Sequence, residues 1–518
     1  MDMILLISAM FGPRLYRLID QRRLYEPNIL ESTGNKMFAI GNCVNGITIA
    51  MSPLIVPYIL FSWSTSSYSS AAKFIAIFYF SAFVLRTCGR LTNNEYAKFI
   101  KTLDRAKNTP NSRPTSEDKK RLKRYDYEIF AAPIDFSAST IPNSKWFAPS
   151  YVQKNNLIEP FNTIRSWSSW IIANTFGRRI LYPGSLTILH ILAQDQLLEG
   201  RSKLLEKGGQ RNILLTEDKN KIDTVFIDNR SDEENENGKT LVFNLFFYFG
   251  ICCEGNAGFY EMGIMITPLN LNYSVLGWNM PGFAESTGIP KPRAVLIAMQ
   301  AVMKFAINNL GFEPEQIVLF GWSIGGFPAT WAAANHPNIK ALILDASFDD
   351  LASLAVAKMP SFLCSFVRYT VRKYLNLPIS LQLNQYQGPV LIIRRWDDEI
   401  IVTNDENDEK RRGSNRANWI LIKLLKNRYP GLINDEEQEE IVHEWLSKDP
   451  QQRLMDYPPE SSAEPENIPD EDELIELELE DRQRLIHQLC TKYFVDFMDA
   501  THSVPLDPLH FNIPTIVE

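Results

Sequence analysis

The run Ile317-Val318-Leu319-Phe320-Gly321-Trp322-Ser323-Ile324-Gly325-Gly326 constrains this chain more than any other short segment. An apolar stretch rich in strand-forming residues ends in Gly-x-Ser-x-Gly. The small, helix-compatible segment Phe327 to Ala334 follows. A strand that turns sharply into a helix at a serine is a nucleophile elbow. The flanking glycines let strand and helix approach where a side chain would clash. Ser323 then stands at the edge of a sheet, with a helix N-terminus aimed at the reacting centre. A glycine-dependent turn with an incidental serine is the plainer alternative, so the rest of the chain must supply a base and an acid.

Around the elbow, apolar runs alternate with helical stretches. The strand candidates are Thr240 to Cys253, Tyr273 to Trp278, Ile317 to Phe320, Ile339 to Leu344 and Pro389 to Arg394. Ile213 to Leu215 and Thr224 to Ile227 precede them as two short strands. Helical patterns cover Arg293 to Leu310 and Gly325 to Ala334, with amphipathic ones around Ile164 to Leu205. This order predicts an α/β protein with a mostly parallel sheet covered by helices on both faces. Such sheets bind ligands at the carboxyl ends of their strands. Residues 346–388 interrupt the alternation with helical segments, in a slot that holds either a cap or another packing helix. Residues 448–480 are rich in Pro, Glu and Asp and read as a solvated, partly disordered acidic insertion.

Ahead of this body lie two apolar segments, about Met37 to Trp63 and about Ala71 to Cys88. Each approaches the ~20 residues that span a bilayer. Asn42, Asn45, Pro53 and Pro57 in the first need a neighbouring helix, and Lys73 in the second must snorkel. Arginines and lysines flank both outer ends, whereas the connection Ser62 to Ala72 has none. That bias predicts a transmembrane helical hairpin with the N-terminus and the catalytic body both cytosolic. The expected organisation is an N-terminal segment (1–36), the hairpin (37–90), a polar linker or adaptor (91–175) and the hydrolytic domain (176–518). Six scattered cysteines without metal-ligand spacing fit a reducing compartment and no disulfide framework. The net charge of −8 gives no case for nucleic-acid binding.

A serine nucleophile needs a base, and the base needs an orienting acid; in α/β hydrolases the order is serine, acid, histidine. His502, in a polar turn after an amphipathic stretch, is the preferred base, with His510 as fallback. His336 reads as a helix cap, and His443 and His487 lie within helical patterns. The strand at Val390 runs into Asp397, Asp398 and Glu399. Asp398 fits the acid, with Asp397 its close rival and Asp345 a third choice. The backbone amide of Ile324, after the nucleophile, is one expected oxyanion donor. The amide of Asn256, in the turn Cys253-Glu254-Gly255-Asn256-Ala257-Gly258, is the other.

Several long motifs carry a family resemblance. They are Gly12-Pro13-Arg14-Leu15-Tyr16, Leu181-Tyr182-Pro183-Gly184-Ser185, Cys252-Cys253-Glu254-Gly255-Asn256-Ala257-Gly258-Phe259-Tyr260-Glu261, Leu276-Gly277-Trp278-Asn279, Pro281-Gly282-Phe283, Trp322 to Phe327, Leu344 to Asp350 and Ala500-Thr501-His502. With them the chain resembles the abhydrolase-domain-containing 16 family from near Gly12 to His502. Its members are membrane-bound serine hydrolases known as phosphatidylserine lipases, credited also with monoacylglycerol hydrolysis. By position the resemblance places nucleophile, acid and base on Ser323, Asp398 and His502, and implies the endoplasmic-reticulum membrane. Two departures stand out: extra residues, roughly Phe243 to Gly250, in the strand feeding the oxyanion turn, and the acidic insertion. A His-x-x-x-x-Asp pattern discussed for the family matches His190 and Asp195 in letters, but a helix puts those residues on different faces.

The expectation is a membrane-anchored serine hydrolase acting on phospholipid or acylglycerol in the bilayer, without metal or organic cofactor. Arg368, Arg372, Lys373, Arg394 and Arg395 are candidates to meet an anionic head group, against the plainer reading of a solvated basic face. The competing functions are a protein-depalmitoylating thioesterase, an acyltransferase and an inactive membrane scaffold.

Overall fold

The apolar runs of the second half form one eight-stranded sheet in the order β11-β10-β9-β8-β6-β7-β5-β4. The strands are β4 (Gln210–Leu215), β5 (Lys221–Ile227), β6 (Phe249–Cys253), β7 (Ser274–Trp278), β8 (Ile317–Trp322), β9 (Ala341–Asp345), β10 (Val390–Arg395) and β11 (Phe494–Phe497). The computed structural model describes residues 3–18, 23–107, 122, 125–127, 159–230, 248–457 and 469–514. It divides into two compact units, 1–131 with 174–213, and 132–173 with 214–518.

In the second unit β6, β7, β8, β9, β10 and β11 pair in parallel, and β5 runs antiparallel to β7. β6, β7, β9 and β10 are buried along their whole length, as a sheet covered on both faces requires. β8 lies mid-sheet, with Cys253 opposite Gly321 on one side and Asp345 opposite Trp322 on the other. The ends of three strands therefore meet around Ser323.

Two expectations change here, for the strand from Thr240 and for the acidic stretch 448–480, whereas the slot at 346–388 is helical as expected. The strand expected from Thr240 begins at Phe249; residues 240–247 lie outside the described residues. The slot at 346–388 holds the helices Leu351–Ala357, Cys364–Tyr374 and Ile379–Leu383. The acidic stretch 448–480 is largely helical where described, at Pro450–Asp456, Glu471–Glu476 and the start of Leu479–Tyr493. Buried side chains explain this: Arg453 pairs with Asp496 at 2.7 Å, and Leu474 is buried. Residues 458–468 of the insertion are outside the described residues. β11 was missed because four residues continuing a helical pattern carry little signal of their own.

The first unit contains the helical hairpin. α1 (Met3–Phe11), α2 (Ile29–Ala50), α3 (Ser52–Ser62), α4 (Thr65–Thr92) and α5 (Asn94–Lys107) accompany a small sheet of β1 (Leu15–Leu18), β2 (Arg23–Leu24) and β3 (Tyr125–Tyr127). α2 and α4 pack closely: a Cβ at Gly89 would lie 2.3 Å from the Glu31 amide nitrogen. At that end the carboxylate of Glu31 is buried against Arg90 at 3.1 Å, and Asn28 caps α2 while donating to the Gly89 carbonyl at 2.7 Å.

Among the described residues α4 alone is long and apolar enough to cross a bilayer; α2 and α3 are so only together, bent by 89°. The arm expected at Met37 to Trp63 is thus a broken one. The connection expected at Ser62 to Ala72 shrinks to a turn, because Ser64 caps α4 at Thr65. The linker expected at 91–175 is not a single tether. α5 and β3 pack Tyr96, Phe99, Ile100 and Tyr127 with Ala9, Leu15 and Tyr25 into an apolar cluster. The helix Glu159–Ile172 belongs to the second unit.

Candidate active site

Ser323 sits at the turn between β8 and the helix Gly326–Asn335 with φ +55°, the left-handed conformation that non-glycine residues avoid. The turn is held by two glycines: a Cβ on Gly321 would lie 2.8 Å from the Gly325 carbonyl oxygen, and one on Gly325 only 1.9 Å from that of Cys253. Alanine at 325 would thus collide with the end of β6. The strained serine is the geometry of the elbow.

The partners arrive from the far end of the chain. His502 follows β11, whose pairing with β10 ends at Arg395 opposite Phe497. The Asp397 amide then donates to the Ala500 carbonyl at 3.1 Å, tying the two loops together. Within them His502 Nε2 lies 3.0 Å from Ser323 Oγ, and His502 Nδ1 lies 2.8 Å from Asp398 Oδ2. All three residues are buried. The second oxygen of Asp398 accepts the amides of Ile400 and Ile401 at 2.9 and 3.0 Å, which fixes the carboxylate. Glu399 accepts the His502 amide at 3.1 Å, and Trp322 Nε1 donates to the His502 carbonyl at 3.2 Å. A serine so held can pass its proton to the imidazole, and the carboxylate can stabilise the imidazolium.

The rival acids stand elsewhere. Asp345 grips Arg395 through both oxygens at 2.6 and 2.9 Å, and Asp397 is half-buried with no such histidine contact. Among the other histidines, His336 ends the helix after the serine, and burial lowers its pKa. His487 stacks on Tyr457, and burial pushes it down to about 4. His443 approaches Glu439 at 3.6 Å, and His510 stacks on Phe497. His190 bonds the Gly184 carbonyl at 2.6 Å, while Asp195, five residues on in the same helix, is exposed.

The head-group candidates divide. Arg394 and Arg395 are buried structural residues, which corrects that expectation for both. Arg394 pairs with Asp496 at 2.7 Å and bonds Asn418 and the Leu446 carbonyl. Arg395, beyond its grip on Asp345, donates to the carbonyls of Thr501 and Val504, on either side of His502. Sequence could not distinguish these from surface cations, because their partners lie 24 to 109 residues away. Replacing Arg395 by methionine should cost about 3–5 kcal/mol, since Asp345 is left buried and unpaired. Urea unfolding checks this; an unchanged midpoint would contradict it.

The turn after β6 packs on the elbow: a Cβ at Gly255 would meet the Trp322 ring at 2.7 Å. Asn256 is half-buried in that turn. Sequence reading passed over its neighbour Glu254. This carboxyl is buried and accepts the Ile264 amide at 3.0 Å, and a Cβ on Gly263 would lie 2.1 Å from it. Burial pushes its pKa up to about 8, opposed by the Ile264 bond and reinforced by Glu261. Glu254 is therefore mostly protonated at neutral pH. Its stabilising contribution is complete below the unfolded carboxyl value of ~4.3, declines as pH rises, and is lost above about 8. Glu254→Gln should flatten the fall in stability between those limits; parallel wild-type and variant pH profiles of the urea midpoint would contradict it.

Fold and site together define an α/β hydrolase with a serine–histidine–aspartate arrangement. The profile of the alpha/beta hydrolase fold matches residues 251–417, and that of the Phosphatidylserine Lipase ABHD16 N-terminal domain matches residues 4–128. Phosphatidylserine lipase ABHD16A of Homo sapiens is 35% identical over 579 residues, covering 98% of this chain and 99% of that one. An uncharacterized Caenorhabditis elegans protein is 37% identical over 513 residues, 97% of each chain. The chain belongs to the phosphatidylserine lipase ABHD16 family. Among solved structures, an esterase of Pyrococcus furiosus shares 20% identity over 38% of this chain and 73% of that one, with a TM-score of 0.28, too slight a likeness to carry functional information.

Proposed function

We propose that the protein hydrolyses an acyl ester of a membrane glycerophospholipid, with phosphatidylserine as the main substrate and monoacylglycerol as a further one. The carrying observation is the continuous line from Ser323 Oγ through His502 to Asp398, with spacings of 3.0 and 2.8 Å. Ser323 is the nucleophile, His502 the base and Asp398 the acid that orients it. The Ser323 oxygen attacks the acyl carbonyl as its proton moves to His502 Nε2. The amides of Ile324 and Asn256 hold the oxyanion. The C–O bond to the lysolipid breaks, and His502 protonates the leaving alkoxide. Water, deprotonated by His502, then attacks the acyl-enzyme; the fatty acid leaves and Ser323 regains its proton. This sequence of steps uses only the chain's own groups.

The substrate reading is supported by the relatives named phosphatidylserine lipase, which match this chain almost end to end. It is also supported by α4, which is long and apolar enough to hold the enzyme at a bilayer, where an insoluble lipid resides. The hairpin lies in the endoplasmic-reticulum membrane with the hydrolase unit on the cytosolic side, and the helices of 346–388 cap the site. The test is reconstitution in vesicles with a panel of head groups. The expected result is fatty acid and lysophosphatidylserine released faster than the products of phosphatidylcholine. Acyl transfer to an added alcohol in place of water, or turnover of protein thioesters alone, would contradict it.

A further inference from the structure

The helix Glu159–Ile172 is built inside out. At 3.6 residues per turn, Ile164, Trp167, Trp170 and Ile171 fall within an arc of about 120°. They are 66%, 65%, 50% and 37% exposed. The opposite side, which carries Arg165 and Ser169 beside Ile172, packs on the helix Cys364–Tyr374. Arg165 donates to the Ser365 carbonyl at 3.1 Å and lies 4.1 Å over the Tyr369 ring. Ser166 meets Tyr374 and Lys373 at 3.3 and 2.8 Å, and Ser169 is fully buried. A helix on a water-facing surface shows the reverse arrangement, apolar inward and polar outward. Scattered exposed apolar residues are ordinary, but a contiguous stripe with two tryptophans marks an interaction face. Phe362, in the turn before the packed helix, adds an 80% exposed ring in the same unit.

We propose that this face docks on the surface of a bilayer containing anionic phospholipid. Three observations favour lipid over protein. The polar hydrogen bonds lie on the inner side, so the helix is held to its unit without its apolar face. Tryptophan, with an apolar body and a polar N–H, settles at the boundary between head groups and chains. Arg368 is exposed on the packed helix, where an anionic head group would meet it. With Glu159, Asn162, Arg165, Ser166, Ser168 and Ser169 in it the helix is too polar to span, so it lies in the interface plane. The insertion that carries its packing partner leaves the end of β9, beside the elbow, where Ser347 Oγ bonds the Ser323 carbonyl at 2.9 Å. Docking there brings the site end of the sheet to the lipid. The inference deepens the lipid-ester reading and rests on it.

The test uses the full chain in vesicles of phosphatidylcholine with a minor share of phosphatidylserine. Trp167→Phe/Trp170→Phe should lose part of the quenching of tryptophan fluorescence by interfacially brominated lipid, since it removes two of ten tryptophans. Trp167→Asp/Trp170→Asp should hydrolyse vesicle phosphatidylserine about tenfold more slowly. Its turnover of a soluble short-chain nitrophenyl ester should stay at the wild-type level. Unchanged quenching in the phenylalanine variant, or wild-type lipid turnover in the aspartate variant, would overturn the proposal. So would a change of oligomeric size in detergent, which would make the face a contact between copies. A wild type that cleaves the soluble ester but no vesicle lipid would refute the substrate reading, and the quenching would still decide the docking.

Discussion

Ser323→Ala should lower lipid hydrolysis by roughly 10⁶-fold, the loss found when one member of a coupled serine–histidine unit is removed. Alanine deletes the hydroxyl oxygen that lies 3.0 Å from His502 Nε2 and would form the acyl ester. It leaves the pair of His502 with Asp398 in place. Folding should improve slightly or stay unchanged, because a functional residue held at φ +55° does not serve stability. Lipid turnover measured beside a thermal melt separates the two effects. An alanine variant of normal melt and more than residual activity would require another nucleophile.

The second large effect is expected at His502. His502→Ala should match the loss from Ser323→Ala, and the double variant should be no worse than either, because the two act as one unit. Asp398→Asn should cost less, about 10⁴-fold, since the imidazole remains but its tautomer is no longer fixed. Nδ1 would then face an amide able to donate as well as accept. Losses from Ser323 and His502 that multiply in the double variant would mean that they act in separate steps.

Much of this site was legible because its chemistry is carried by local signals. Gly321-x-Ser323-x-Gly325 announces a turn that only glycines allow, and the clash of a Cβ on Gly325 with the Cys253 carbonyl is its physical basis. The acid and base were placed by order along the chain, and the hydrogen bond that ties their loops together, from the Asp397 amide to the Ala500 carbonyl, appears only in the fold. The parallel strands were legible as apolar runs, whereas β11 was not, since four residues after a fifteen-residue helix leave no period to read.

What sequence could not show is pairing at a distance. Arg394 and Arg395 looked like cations for a head group, yet each is neutralised by an aspartate on a neighbouring strand. Glu254 carried no signal of its own in a glycine turn, yet burial pushes its pKa up to about 8. The outward stripe of Glu159–Ile172 read as an ordinary amphipathic helix, because periodicity gives the existence of an apolar face and not the direction it points. α2 and α3 read as one apolar arm for the same reason: composition runs on through Met51, where the backbone turns by 89°.

The most direct test is to label the wild-type protein with a fluorophosphonate, digest it and locate the modified residue by mass spectrometry. A single adduct on Ser323, formed more slowly in the presence of excess lipid substrate and strongly slowed in His502→Ala, is the predicted result. An adduct on a different residue, or lipid turnover that persists after Ser323 is fully modified, would contradict the account.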